Sequence, residues 1–377
     1  MNAAGRSLVL ACAVALGGCS YFGWFQDADK KPMPLTEIRA TVTPKVVWSA
    51  SVGKSGDYRF APKIDGNRVL AAAADGTVSI LDAEAGRVVS RFDAKRRISS
   101  GAGGEGDFVA IGTPKGEVVA FDAAGKEKWV AQVGGEVLAP VTVSGKSAIV
   151  RLADGRIFAF AVADGKRQWV YQRPTPALLL RAASGVIVAP GTVVAGYPGG
   201  KLIALDIDDG KLTWEVSVST PRGSTELERV ADVAGLPVIE GTRICAAAFQ
   251  GKVACFDIQT GNALWSRDIS TATGLGVDDK GLYLSDDQDN VHALDRESGA
   301  SRWKQDKLLR RGLTAPVVVD GKVIVGDSQG YLHVLSRDDG SFIGRLSVGD
   351  GAIRSLVAGL SGLVVQTSGG TVALVRF

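Results

Sequence analysis

The chain holds very little histidine or methionine: two of each in 377 residues, with the histidines at His292 and His333. A catalytic or metal centre built on imidazole therefore has little material. Its four cysteines include no Cys-x-x-Cys and no adjacent pair, so no redox motif and no zinc ribbon is written in the chain. A surplus of one charge is also lacking. Lys and Arg number 43 against 40 Asp and Glu, giving a net charge of +3 that is scattered along the chain. That distribution leaves no electrostatic footprint for nucleic acid. Aromatics make up 7% of residues, and long stretches with helical amphipathic period are few, which disfavours the helical classes.

Glycine is abundant, with 48 residues, alongside much Val, Ala and Asp. One stretch organises the rest. LDIDDGKLTW (Leu205–Trp214) recurs as FDIQTGNALW (Phe256–Trp265) and LDRESGASRW (Leu294–Trp303), and one residue shorter as FDAAGKEKW (Phe121–Trp129). In each copy apolar residues end one strand, an Asp caps the turn, a Gly takes positive φ, and a Trp lies on the returning strand. One such hairpin cannot bury its own faces, so a tandem series implies stacked sheets. With the Trp position as marker, the copies fall at Trp48, Ser90, Trp129, Trp169, Trp214, Trp265, Trp303 and Gly344. The seven intervals span 296 residues, a mean near 42. Propeller blades of four strands need about 40–45.

The termini complement each other. Val46-Val47-Trp48 is a Trp strand with no hairpin before it, and the strands Leu363–Thr367 and Thr371–Phe377 end without a hairpin or Trp strand. A blade completed by both ends closes the ring and removes the open edge. The expected fold is all-β: an eight-bladed β-propeller over residues 44–377, with four antiparallel strands per blade. Seven blades is the rival count if the copy around Ser90 is misread. The periodic Trp residues read as packing between blades with their N–H groups satisfied. Asp82, Asp122, Asp206, Asp257 and Asp295 read as turn caps. Cys245 and Cys255 fall on the two strands of one hairpin. Directly opposed they can bridge, and one residue out of register they face apart.

Residues 1–18 read as an address. Arg6 precedes the apolar run Leu8–Leu16, which is too short to span a bilayer, and Leu16-Gly17-Gly18-Cys19 follows. This resembles a bacterial lipoprotein lipobox, which implies cleavage before Cys19 and lipid on its thiol. Several acyl chains make such an anchor stable where one would be marginal. Ser20 follows, not the Asp that retains lipoproteins at the inner membrane in enteric bacteria, so an outer-membrane location is expected. Residues 19–43, with Pro32 and Pro34 and no sustained period, read as a lipidated flexible tether.

Function on a repeat scaffold sits where the repeat breaks. Two adjacent intervals are long, 45 and 51 residues against 38–42 elsewhere. The first holds the apolar run of Arg173–Arg181. The second holds Ser219–Val233, in which Thr225-x-x-Glu228 is a candidate capping box for one helical turn. Leucines beside arginine and acidic residues suit a protein-binding patch. The blander reading folds the leucines back onto their own blades.

The Asp-x-x-x-Gly-x-x-x-Trp copies resemble the repeats of pyrroloquinoline-quinone dehydrogenases. Together with the lipobox and the eight copies, they make the chain similar over its whole length to the propeller lipoproteins of the outer-membrane β-barrel assembly machinery. That resemblance is most specific at Leu178, Leu180 and Arg181 and at Gly223–Val233. It implies a non-catalytic scaffold without cofactor, anchored at the outer membrane and facing the periplasm. The partner it implies is the periplasmic POTRA domains of the barrel insertase BamA, with unfolded outer-membrane precursors as further clients. Leu178, Leu180, Arg181 and Asp232 are the contact residues so implied. The family pattern carries a second acidic residue two places after that Asp, where this chain has Ala234. The alternative is a periplasmic quinone-dependent dehydrogenase. It would require a calcium site and, in the alcohol dehydrogenases, adjacent cysteines.

Overall fold

Thirty-two strands, paired into eight four-stranded antiparallel sheets, account for the chain from Lys45 to Arg376 in a computed structural model that describes residues 31–359 and 362–377. The address at 1–18 and the lipidation candidate Cys19 lie outside the described residues. Blades 1 to 7 run in chain order, their strands spanning Lys63–Asp93, Gly103–Gln132, Thr142–Tyr171, Ile187–Ser217, Val238–Arg267, Leu275–Gln305 and Val317–Ser347. Blade 8 takes three strands from Ile353–Arg376 and its outermost from Lys45–Ser51. That closing pair runs antiparallel from Lys45 opposite Arg376 to Ser51 opposite Thr371. The expected count of eight and the expected closure both hold.

Burial explains the composition. The second and third strands of each blade are sandwiched between neighbouring blades, so runs such as Val323-Ile324-Val325 and Val118-Val119-Ala120 are buried on both faces. They read as continuous apolar stretches because neither face meets water. The outermost strands alternate instead, as in Ala263–Arg267, where only Trp265 is buried. The seam is packed like the other junctions: Trp48, Val52, Val69, Leu81, Val364 and Leu374 form one apolar cluster.

The repeat motif interlocks five of the eight blade junctions, whereas after half-buried Trp214 a Cβ on the hairpin Gly261 would meet Val216 at 3.3 Å and not the indole. Indole Nε1 of Trp48, Trp129, Trp169, Trp265 and Trp303 donates to the backbone oxygens of Ala83, Val162, Ile207, Arg296 and Arg337, at 2.8–3.0 Å. Each acceptor lies in the hairpin of the next blade. The hairpin glycine there lies against the same indole. A Cβ on Gly86, Gly165, Gly210, Gly299 or Gly340 would approach the ring to 2.5–2.6 Å. Those glycines also have φ between 67° and 72°, so they are required twice over. The preceding Asp caps the turn, as when Asp82 Oδ1 accepts from the Glu84 and Ala85 N–H groups.

One marker lacks Trp for a visible reason. A Cβ on Gly344 would lie 2.9 Å from the Val42 carbonyl oxygen and 3.3 Å from Pro44 Cδ. The chain before the first strand occupies that groove. The Thr41 and Val42 N–H groups both donate to Ile343 O, and the Met33 N–H donates to Leu309 O. Arg311 and Arg345 donate to the carbonyls of Met33 and Thr36. The part of the expected tether from Met33 to Thr43 is therefore a strap fastened to blade 7. Its anchors come from residues some 300 positions later, which is why its polar, aperiodic sequence read as free chain.

Both histidines have the same structural job. Each sits six residues after an Asp in its blade and meets that carboxylate: His292 with Asp286 at 2.8 Å, His333 with Asp327 at 2.9 Å. Arg345 Nε donates to His333 Nδ1, so that nitrogen is unprotonated and Nε2–H donates to Asp327. Burial pushes the His333 pKa below its ordinary value, and the Asp327 contact only partly opposes this. For Asp327 burial pushes upward, but hydrogen bonds from His333, the Tyr331 N–H and Arg311 outweigh it, and the carboxyl is lowered. Acidification should therefore weaken the fold in two stages. Below about pH 6.5 the unfolded chain takes up a proton that folded His333 refuses, and below about pH 3.8 Asp327 adds its own loss. Urea titrations from pH 8 to pH 3 test this, and His333→Gln should flatten the first stage.

Cys245 and Cys255 stand directly opposite on neighbouring strands of blade 5 and form a disulfide. Register resolves the alternative left open by the sequence.

Candidate functional site

The two long intervals become the connections from blade 3 to blade 4 and from blade 4 to blade 5, and they are bolted to each other. Asp232 is the bolt. One carboxylate oxygen accepts the Leu180 N–H at 2.7 Å and the other the Gly199 N–H at 3.0 Å. Ser184 Oγ donates to the Ala234 carbonyl, and buried Arg151 Nη1 donates to the Ser184 carbonyl at 3.0 Å. Burial pulls the Arg151 pKa down to about 10, with the negative charge of Asp232 among the groups opposing the fall. Thr225 and Glu228 form the reciprocal box that their spacing suggested. The Glu228 N–H donates to Thr225 Oγ1, and the Ser224 and Thr225 N–H groups donate to Glu228 Oε2. The Arg229 N–H closes that single turn on the Thr225 carbonyl.

The four expected contact residues separate into two roles. Leu178 is 44% exposed, and Arg181 is also exposed. Leu180 is half-buried beside them. Asp232 is only 5% exposed and has both oxygens engaged, so in this conformation it positions Leu180 and is not a contact surface. Ala234 is buried too, its carbonyl taken by Ser184. The reading in which the leucines fold back holds only for Leu179 and Leu180, which are half-buried.

Arg181 reaches across the mouth of the ring. Its Nε and Nη2 grip both oxygens of Glu136 at 2.9 and 2.6 Å, and its guanidinium lies 5.7 Å from the centre of the Tyr58 ring. Glu136 lies between blades 2 and 3 and Tyr58 between blades 8 and 1, so three connections meet at this one side chain. Leu227 and Leu236, 69% and 48% exposed, extend the apolar surface along the second loop. Neither Tyr58 nor Glu136 carried a motif in the sequence. Their relation to Arg181 is set by ring geometry alone.

The first loop also forms one wall of the axial funnel, where two adjoining cavities of about 360 and 600 Å³ share Arg59, Leu236 and Arg354. The residues there do not fit a quinone with its calcium ion. Asp286, Asp287 and Asp289 line the wider cavity, but each is engaged: Asp286 with His292 and Asn290, Asp287 with Ser270, Asp289 with the Gly312 and Leu313 N–H groups. Among the described residues no three His, Cys, Asp or Glu side chains are grouped to hold a metal. The described cysteines are tied to each other within blade 5.

Eight blades, five of their junctions locked by a Trp–Gly contact, and a bolted pair of connections define a β-propeller of the PQQ-like repeat class. A family model described as outer membrane protein assembly factor BamB matches residues 74–305. The protein of that name from Bordetella pertussis is 43% identical, over 98% of this chain and 96% of its own length. Its namesake from Burkholderia pseudomallei is 38% identical, over 96% of each. The chain belongs to the BamB family. Among solved structures, BamB from Moraxella catarrhalis superposes with a TM-score of 0.83 at 28% identity, over 89% of this chain and all of that one. A quinohemoprotein alcohol dehydrogenase from Pseudomonas putida superposes with a TM-score of 0.70 at 12% identity, over 88% of this chain and 76% of that one. That likeness is one of fold alone.

Proposed function

We propose that this chain is a non-catalytic scaffold of the outer-membrane β-barrel assembly machinery, docking on the periplasmic POTRA domains of BamA through the bolted loops. Membership of a family whose members are named assembly factors supports the role. The observation that carries the docking site is the Asp232 bolt, which fixes the Leu180 backbone between Leu178 and an Arg181 that Glu136 holds in turn. Preorganisation reduces the ordering cost of binding, and leucines next to an arginine that already lies over an aromatic ring have the make-up of an interface centre.

In this reading residues 1–18 are removed and lipid on Cys19 holds the protein to the outer membrane, facing the periplasm. The tether then ends at the strap. The stretch from Ser20 to Pro32 reaches at most ~45 Å, which sets how far the ring can stand from the bilayer. Unfolded barrel precursors are clients of the assembly as a whole. Affinity purification from solubilised outer membranes, with the co-purified proteins identified by mass spectrometry, tests the proposal. BamA is the expected main partner, and its absence from the purified material would overturn it.

A further inference from the structure

The axial funnel is lined by two arginines that share the same two cavities. Arg59, on the connection into blade 1, and Arg354, on the innermost strand of blade 8, line both cavities. Neither has a carboxylate partner among the described residues. Arg354 Nε is buried with no hydrogen-bond partner, and so is the hydroxyl of its neighbour Ser355. Burial lowers the Arg59 pKa, and the charge of Arg354 lowers it further. A fold rarely lines one cavity with two guanidiniums, with buried polar atoms left unmatched, unless something offsets them. Between and beyond them the walls are small and apolar, with Ala61, Leu236, Ala315 and Leu356.

We propose that the funnel binds the free carboxylate end of a peptide, with Arg59 and Arg354 as its clamp and the apolar walls receiving the last side chain. Guanidinium forks match the planar, two-oxygen geometry of a carboxylate. The wider cavity selects against a more highly charged anion, because Asp286, Asp287 and Asp289 face it and would repel phosphate more strongly than a monoanion. Ser355 Oγ supplies a further donor beside the clamp. Neither arginine takes part in the Asp232 bolt, although the first loop forms one wall of the funnel.

The test is fluorescence anisotropy on the full chain, using a short N-terminally labelled peptide that ends in leucine and the same peptide as its C-terminal amide. The acid should bind saturably and the amide at least tenfold more weakly. Arg59→Gln and Arg354→Gln should each weaken the acid on the order of tenfold, as expected for a lost charge-assisted hydrogen bond. The thermal midpoint of either variant should hold or rise, because each substitution removes a repulsion. Equal binding of acid and amide would overturn the proposal. So would undiminished binding by the double variant, or a signal that inorganic phosphate displaces as readily as the free peptide acid does.

Discussion

An Asp232→Ala protein is expected to lose about 3–5 kcal/mol of stability, more than any change at the exposed leucines, although Asp232 touches no solvent-facing partner. Its carboxylate holds the N–H groups of Leu180 and Gly199 and stands near the buried guanidinium of Arg151. Removing it strands two backbone donors, each costing about 1–3 kcal/mol if left unpaired, and takes a compensating charge away from Arg151. Asp232→Asn should recover only part of the loss, because its amide NH₂ turns a donor toward one of those N–H groups. Chemical denaturation measures the difference. BamA binding should weaken in the alanine variant, since the Leu180 backbone beside Arg181 loses its support. Wild-type stability in Asp232→Ala would show that the carboxylate is not the fastening.

Asp327→Ala is the second large effect, again about 3–5 kcal/mol, and it should act at a distance. Asp327 is fully buried and accepts from Arg311 Nε at 2.7 Å, His333 Nε2 at 2.9 Å and the Gln329 and Tyr331 N–H groups. Arg311, 1% exposed, also donates to the Met33 carbonyl. Without its counter-charge Arg311 must seek water, and the strap loses an anchor. Hydrogen exchange at the Thr41 and Val42 N–H groups should accelerate along with the stability loss. Asp286→Ala is the built-in control. Asp286 occupies the equivalent position in blade 6 with His292 and Asn290 as side-chain partners, so its removal should cost less and leave the strap protected. Equal effects from the two substitutions would refute the role given to Arg311.

What the sequence disclosed was what repeats locally. The Asp–Gly–Trp hairpin advertises itself because the same steric and hydrogen-bonding demands recur at five of the eight junctions, as with Gly86 against Trp48, Gly165 against Trp129 and Gly340 against Trp303. Closure by Lys45–Ser51 was legible because two incomplete ends add up to one blade. Single long-range pairings were not. Nothing in the residues Met33–Thr43 announces that Arg311 and Arg345 will hold their carbonyls, and nothing in Asp232 distinguishes a buried bolt from an exposed contact. The Gly at position 344 looked like a worn Trp, yet it is the space the strap occupies. At the candidate site the stretched intervals marked the two loops that Asp232 joins. Arg59, Glu136 and Tyr58 lie on connections of ordinary length and Arg354 on a strand, so only the closed ring brings them to its mouth.

The central claim, that the bolted loops are the docking surface, meets its most direct test in the Leu180→Ala/Arg181→Ala double variant, titrated with purified BamA POTRA domains. Binding should fall by tenfold or more, as interface centres typically lose upwards of 1–2 kcal/mol per residue, while the circular dichroism spectrum stays that of the intact propeller. Undiminished affinity in a folded double variant would contradict the account.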